Sequence, residues 1–444
     1  MSDDPHFTPR DIAVVGTGYV GLTTGACLAH LGHRVVCADI DADKVDRLRS
    51  GEIPIVEEGL GEIVAEAASD GRLSFVVGAA QAAGDADVVF LCVPTPQDDD
   101  GSADLSYIQA AAREIGPVLR PGAVVVNKST VPVGSASVVD DVIRRDDVRI
   151  VSNPEFLREG TAVHDFLHPD RVVIGGEDAA ACELVADLYA PLDAPMILTD
   201  AASAETIKYA ANGFLAMKIS FVNAVAAMCE AVGADVGSVV DGIGLDHRIG
   251  SAFLRPGPGW GGSCFPKDSR ALVSIAADHG YDFSMMRGVI DANNDQRARM
   301  VAKVRQIVGR PPGPRALDGV TVAAWGLTFK AGTDDMRESP ALAVLERLVA
   351  LGASVRAYDP TTVGDITPTQ RYHLGKIEPG QNALEVTDGA DVLVVLTEWP
   401  EFSGVDFTAV ADRLAGDGVV DARNLLDPGA VRSAGLRYDG VGRR

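Results

Sequence analysis

The feature that most constrains the fold is an ordered run near the start of the chain: strand, glycine turn, helix, second strand, acid. Residues 11–15 are an apolar run that ends in Gly16-Thr17-Gly18-Tyr19-Val20-Gly21, and an Ala/Leu-rich helical stretch follows to Gly32. A second apolar run, 34–38, ends at Asp39, eighteen residues after Gly21. A GxGxxG turn alone is a weak signal, because unrelated α/β proteins also contain glycine-rich turns. Between a strand and a helix, with an acid closing the next strand, it is the pattern of a dinucleotide-binding unit. The glycines admit a pyrophosphate to the helix N-terminus, and the acid accepts from ribose hydroxyls. A Rossmann domain that binds NAD is expected here.

Apolar runs at 88–93, 124–128 and 149–151 read as buried parallel strands, each leading into a polar, proline-containing loop. Ligands of such sheets bind at these carboxyl ends. A strand at 172–174 and a helix around 180–189 complete a domain of residues 1–200. Ser203 reads as the N-cap of a long Ala-rich helix reaching Val232, apolar on most faces and so buried between domains or subunits. Lys208 and Asn212 lie four apart on it and share a face. Residues 201–310 are expected to form a central helical region. The segment 309–314, Gly-Arg-Pro-Pro-Gly-Pro, is a linker by composition. Beyond it, strands at 320–325, 354–358, 392–396 and 419–421, with a helix at 340–351, predict a second doubly wound domain, 311–444. That domain lacks GxGxxG, so it should bind something other than the dinucleotide.

The segment Gly257-Pro258-Gly259-Trp260-Gly261-Gly262-Ser263-Cys264-Phe265-Pro266-Lys267-Asp268 carries the strongest chemical signal. Its glycines let backbone approach a ligand, and Pro266 at a first helical position predicts a helix to Gly280. Cys264 then sits at a helix N-terminus beside Lys267, and both favour thiolate over thiol. The competing reading is a small buried thiol in a tight turn.

With these pieces placed, the chain resembles the UDP-glucose/GDP-mannose dehydrogenase family along essentially its whole length. The resemblance rests on GTGYVG at 16–21, VPTP at 93–96, STVPVG at 129–134, NPEFLREG at 153–160, ETIKYAANGFLAMKISFVN at 205–223, GPGWGGSCFPKD at 257–268 and GLTFKAGTDDMRESP at 326–340. It implies two Rossmann-like domains joined by a central long-helix dimerisation region, and oxidation of a nucleotide sugar at carbon 6 with two NAD consumed. It further implies Cys264 as the nucleophile that forms a thiohemiacetal and then a thioester. Lys208 and Asn212 would stabilise the oxyanion, Asp268 would help remove the hydroxyl proton, and Glu155 and Thr130 would position the hydrolytic water. Cofactor contacts fall on Gly16, Gly18, Tyr19, Val20, Gly21, Asp39, Lys44, Thr95, Thr130, Glu159, Lys267 and Arg337. Substrate contacts fall on Glu155, Phe156, Leu157, Arg158, Glu159, Lys208, Asn212, Phe253, Leu254, Arg255, Pro256, Gly257, Gly261, Lys330 and Arg423. Arg248 matches an arginine that reaches the substrate of a partner subunit, so a homodimer is implied. Taken as isolated residues, Arg423 and Lys44 read equally well as surface cations. Ser263 before the cysteine looks like the UDP-glucose branch, with GDP-mannose or another nucleotide sugar as the alternative. A 3-hydroxyacid dehydrogenase would lack the GGSC segment and the third domain, and a non-catalytic NAD-binding protein would have lost one of Cys264, Lys208, Asn212 or Asp268.

Composition narrows the partners. A formal charge of −24 opposes nucleic-acid and anionic-membrane binding, both of which need a basic surface. Asp clusters at Asp98-Asp99-Asp100, Asp140-Asp141 and Asp146-Asp147 fit either a high-salt cytoplasm or a GC-rich genome. The six cysteines show no CxxC pairing or ligand-like His spacing, so neither a metal site nor a disulfide framework is expected. With three Asp and two Pro before Ile12 and no apolar run of bilayer length, a cytoplasmic protein is expected.

Overall fold

The predicted apolar runs fold as strands of two mostly parallel sheets. The computed structural model describes residues 8–97, 103–364 and 366–443, which leaves the Asp98-Asp99-Asp100 cluster outside the described residues. By internal contacts the chain divides into two units, Met1–Ala211 with Arg270–Tyr281, and Asn212–Ser269 with Asp282–Arg444.

In the first unit the strands are β1 (Asp11–Val15), β2 (Arg34–Asp39), β3 (Leu73–Val77), β4 (Val88–Leu91), β5 (Val124–Asn127), β6 (Arg149–Ser152), β7 (Val172–Gly175) and β8 (Met196–Thr199). They lie in the order β3-β2-β1-β4-β5-β6-β7-β8, so the sheet reverses direction of winding between β1 and β4. That switch point opens a crevice at the carboxyl ends of the strands. Register places Val15 opposite both Ala38 and Leu91, which brings the Gly16 turn, Asp39 and the loop after β4 to one edge. β6 and β7 pair antiparallel, while the other neighbours in the sheet run parallel.

The second unit repeats the theme with β9 (Thr321–Trp325), β10 (Ser354–Tyr358), β11 (Glu378–Pro379), β12 (Val392–Val395), β13 (Gly418–Asp421) and β14 (Arg437–Gly440), in the order β11-β10-β9-β12-β13-β14. Its core packs Leu345 and Leu348 of the helix Pro340–Ala350 against Val322, Ala324 and Val394 of the sheet, all fully buried. The helix Ser284–Ile307 ends just before the exposed Gly-Arg-Pro-Pro-Gly-Pro segment, as its composition predicts.

Two expectations are corrected. The long helix begins at Ala201, not after Ser203, because Asp200 is its cap and accepts from the Ser203 backbone N–H at 2.7 Å and its hydroxyl at 2.8 Å. The expectation that no apolar run reaches bilayer length also fails, since this 32-residue helix has a mean hydropathy of 1.5 in its most apolar stretch. Its polar residues are nonetheless tied into protein, with Glu205 and Lys208 buried. Only a third of its apolar stretch is buried, and Phe214, Phe221 and Met228 of the helix stay exposed, so the expected burial on most faces is met only in part.

Buried His33 ties the residue before β1 to the end of the helix Ala179–Asp187: Nδ1 accepts from the Arg10 N–H at 3.3 Å and Nε2 meets the Leu188 carbonyl at 3.2 Å. This pairing needs a neutral ring, and burial lowers its pKa below 6.5. The unfolded chain therefore binds the extra proton as pH falls through 6.5, and the contribution of His33, full above that value, is lost below it. Unfolding free energies measured from pH 8 to pH 5 should fall more steeply for the wild type than for His33→Gln, by up to about 1.4 kcal/mol for each unit of depression. Equal slopes would remove His33 from the pH dependence.

Candidate active site

At the Gly16 turn, sterics demand glycine. A Cβ on Gly21 would stand 1.8 Å from the Gly16 carbonyl oxygen, and one on Gly16 would stand 2.5 Å from the Cys92 carbonyl. Gly18, by contrast, faces open space, as close approach of a pyrophosphate requires. Asp39 Oδ2 accepts from the Thr17 N–H at 3.0 Å, the Thr17 hydroxyl at 2.5 Å and Lys44 Nζ at 2.9 Å. Burial pushes the Asp39 carboxyl up, but these donors outweigh it and hold it down at about 2. It is therefore a fixed anion at neutral pH, attractive to ribose hydroxyls and repulsive to a phosphate on them. Lys44 is bound to this carboxylate rather than being a surface cation. These features fit NAD.

The loops after β4, β5 and β6 supply the next layer. The Thr95 hydroxyl donates to the Thr130 carbonyl at 2.9 Å, and Ser129 donates to the Val93 carbonyl at 2.7 Å, so the two loops are joined. Glu155, in the loop after β6, is 4% exposed and accepts from Lys208 Nζ at 2.8 Å and from the Leu157 N–H at 2.7 Å. Burial pushes its carboxyl up, yet the charge and hydrogen bond of Lys208, the Leu157 N–H and the charge of Lys128 leave it below the usual carboxylate range. Phe156 stacks beneath the Arg171 guanidinium, 3.6 Å from the ring centroid. Arg158 instead turns outward to Asp165, and the Tyr19 hydroxyl accepts from the Gly160 N–H.

Within the second unit, Cys264 immediately precedes the helix Phe265–Asp278, whose first turn closes from the Asp268 N–H to the Cys264 carbonyl at 2.8 Å. It is the one half-buried cysteine among six reduced ones, and burial pushes Cys27 and Cys92 up to about 12. Lys267 Nζ lies 2.8 Å from Asp268 Oδ1, and Asn212 Nδ2 lies 2.6 Å from Asp268 Oδ2. The fully buried Asp268 carboxylate is thus pinned at both oxygens. Gly261 cannot carry a side chain, since its Cβ would stand 2.1 Å from the Glu338 carbonyl. Arg423 donates to the Leu396 and Phe329 carbonyls, each at 2.8 Å, and pairs with Glu398, so it is a built part of the strand ends and not a surface cation. Lys330 lies 5.3 Å from the Phe329 ring centroid. Leu254 is buried, Phe253 takes a positive φ of 64°, and Arg255 is exposed. The exposed Arg248 and Arg337 pair with Asp246 and Asp335 of their own segments.

Sequence reasoning missed the amides that clamp the cysteine loop. Asn223 accepts from the Gly257 N–H at 2.8 Å, Asn293 exchanges hydrogen bonds with the Trp260 backbone at 2.8 and 3.0 Å, and Gln296 donates to the Gly257 carbonyl at 2.7 Å. It also missed Glu205, which accepts from the Gly134 and Ala136 N–H groups and from Ser152, and Lys128, fully buried after β5. Glu205 follows the long helix's cap by five residues and opens the ETIKYAANGF motif, a signal that could have flagged it.

A dinucleotide cradle in a chain that also buries lysine–carboxylate pairs and sets a thiol at a helix start defines an NAD-dependent dehydrogenase. Residues 10–193 match the NAD binding domain of the UDP-glucose/GDP-mannose dehydrogenase family, residues 202–295 its central domain and residues 323–428 its UDP binding domain. The chain belongs to that family. It is 45% identical over 442 residues to a UDP-glucose 6-dehydrogenase of Rhizobium meliloti, covering 97% of this chain and 99% of the relative. It is 43% identical over 440 residues to the UDP-glucose 6-dehydrogenase TuaD of Bacillus subtilis, covering 98% and 93%. A UDP-glucose dehydrogenase structure from Pyrobaculum islandicum aligns with a TM-score of 0.90 at 36% identity over 99% of both chains.

Replacing Asp39 by Ala should weaken NAD binding by roughly 10-fold or more, the worth of a charged hydrogen bond, and narrow the preference for NAD over NADP. Initial rates with both cofactors check this, and equal wild-type use of the two would overturn the role of Asp39.

Proposed function

We propose that the chain oxidises the C6 alcohol of UDP-glucose to the carboxylate of UDP-glucuronate with two NAD per sugar, Cys264 holding the sugar between the two oxidations. The observation that carries this reading is the buried pairing within each unit, Lys208 on Glu155 in the first and Asn212 with Lys267 on Asp268, beside Cys264, in the second. The near full-length match to relatives named for UDP-glucose supports the substrate over GDP-mannose.

NAD held at Gly16–Gly21 and Asp39 would supply the hydride acceptor for each oxidation. Asp268 helps take the hydroxyl proton in the first, while Lys208 and Asn212 stabilise the oxygen as it gains charge. Cys264 then adds to the aldehyde carbon, forming the C–S bond of a thiohemiacetal. Loss of a second hydride and the hydroxyl proton leaves a thioester. Glu155, with Thr130, draws a proton from water, which adds to the acyl carbon. The C–S bond breaks, and Cys264 leaves as thiolate. Arg423, Lys330 and the loop 253–257 bind the nucleotide, and Lys267, Glu159, Thr95 and Arg337 serve the cofactor. The three family matches support functional segments 1–200, 201–310 and 311–444.

We also read the chain as a cytoplasmic homodimer. Phe214, Phe221 and Met228, seven apart on the long helix, are more than half exposed and form one apolar stripe suited to a second copy. Arg248, exposed and steadied by Asp246, would then serve the partner's substrate. Arg248→Ala should raise KM for UDP-glucose with NAD affinity nearly intact, and a fully active monomer in a sizing-coupled assay would remove this reading.

Two NADH should form per UDP-glucose, with no free aldehyde. Cys264→Ala should cut acid formation by several orders of magnitude, as loss of a catalytic nucleophile does. Cys264→Ser should accumulate a slowly hydrolysed ester, visible by intact mass. Near wild-type UDP-glucuronate formation by Cys264→Ala would show the cysteine to be a packed loop residue.

A further inference from the structure

Lys128 follows β5 directly and is buried, and burial lowers its pKa to about 8, so that it stays a cation at neutral pH. Among the described residues its hydrogen-bond acceptors are two neutral oxygens, Asn153 Oδ1 at 3.0 Å and the Tyr189 hydroxyl at 3.2 Å, with the Tyr189 ring centroid 5.4 Å away. The Tyr189 hydroxyl also donates to Asn153 Oδ1 at 2.7 Å, and Asn153 Nδ2 donates to the Val173 carbonyl at 2.7 Å. Asn153 is thus fixed at every polar atom, and it lies two residues before Glu155. Lys128, Asn153, Tyr189 and Glu155 line one void of about 40 Å³, together with Asp165 and Arg171.

A buried cation without a hydrogen-bonded carboxylate is something a fold avoids, because a methionine of the same length would pack at no electrostatic cost. The charged groups that act on Lys128 are Glu155 and Lys208, with the neutral Cys92 thiol and Tyr189 hydroxyl also beside it. Of these, Glu155 is a carboxylate held by a single direct cation, Lys208. The reaction asks Lys208 to turn its charge toward the substrate oxygen, which weakens its hold on Glu155 at the step where Glu155 must act as base. Lys128, held by Asn153 and Tyr189, has no such second duty in the reaction proposed.

We propose that Lys128 is a positioning residue for thioester hydrolysis, a second buried cation that keeps Glu155 aimed through Asn153 and ionised through its charge while Lys208 serves the substrate oxygen. This rests on the reaction proposed above. Lys128→Gln keeps a donor for Asn153 and removes the charge, Lys128→Arg keeps the charge, and Lys128→Met removes both. With UDP-glucose and NAD, Lys128→Gln and Lys128→Met should hydrolyse the acyl-enzyme about 10-fold more slowly or worse, so that a thioester on Cys264 builds up in acid-quenched samples. The acid limb of kcat should move up by about one pH unit in both, because removing a nearby cation raises the pKa of Glu155. Lys128→Arg should restore the limb toward its wild-type position. A folded Lys128→Gln with an unmoved limb and no extra thioester would overturn the proposal, and so would a Lys128→Gln that fails to fold, which would make the role structural. If the wild type itself formed no thioester and no second NADH, the reaction reading would fall instead.

Discussion

A carboxylate withdrawn from water must be met by donors, and most of what this chain does follows from which donors meet its buried acids. Asp359, fully buried at the end of β10, accepts from the Leu327, Thr328 and Thr361 backbones, from both threonine hydroxyls and from Trp399 Nε1. Glu205 and Asp421 are likewise filled mainly by backbone N–H groups. Donors of that kind cannot leave without unfolding the loop, so these acids hold structure. Asp39, Glu155 and Asp268 each receive a lysine ammonium instead, from Lys44, Lys208 and Lys267. A lysine can swing to a ligand or give up a proton, so a carboxylate paired with one has chemistry available to it.

The two sheets make the contrast direct, because they place the same turn at the same point. Gly16 has φ of 96° and donates to the carbonyl of Ala38, while Gly326 has φ of 95° and donates to the carbonyl of Tyr358, each bridging the first strand of its unit to the neighbour that carries the acid. In the first unit the acid keeps a lysine and partial exposure. In the second, Asp359 is sealed by Thr328 and Trp399, leaving no oxygen for a ribose. The second fold therefore has the frame of a dinucleotide unit and a blocked ribose position, which is the physical reason its missing glycines matter.

Legibility in the sequence followed burial. Every strand read from the sequence is interior to its sheet, and the four passed over, β3, β8, β11 and β14, are the four outermost. An outer strand packs less fully, and its sequence is less constrained: β14 is Arg-Tyr-Asp-Gly, while β8 is a short Met-Ile-Leu-Thr run with Ile197 and Leu198 substantially exposed. The start of the long helix was misplaced for a related reason. Asp200 and Ser203 are both good caps, and only the geometry shows that Ser203 donates to Asp200.

The site was legible where chemistry and glycine sterics sit in one short segment, as at Gly16–Gly21 and Gly257–Asp268. What escaped was support supplied from a distance. Asn293 and Gln296 lie more than thirty residues from the backbone they clamp, on a helix where a polar residue reads as solvated surface. Lys128 escaped differently, as the last residue of an apolar strand and the one before the STVPVG motif, where a cation reads as a strand end reaching water. Its burial against neutral oxygens reverses that reading, for a charge held without a hydrogen-bonded counterion acts through space on whatever acid lies nearest. Glu155 is an acid on which that charge acts, secondary to its direct pair with Lys208, and Asn153, which Lys128 holds, lies two residues before it.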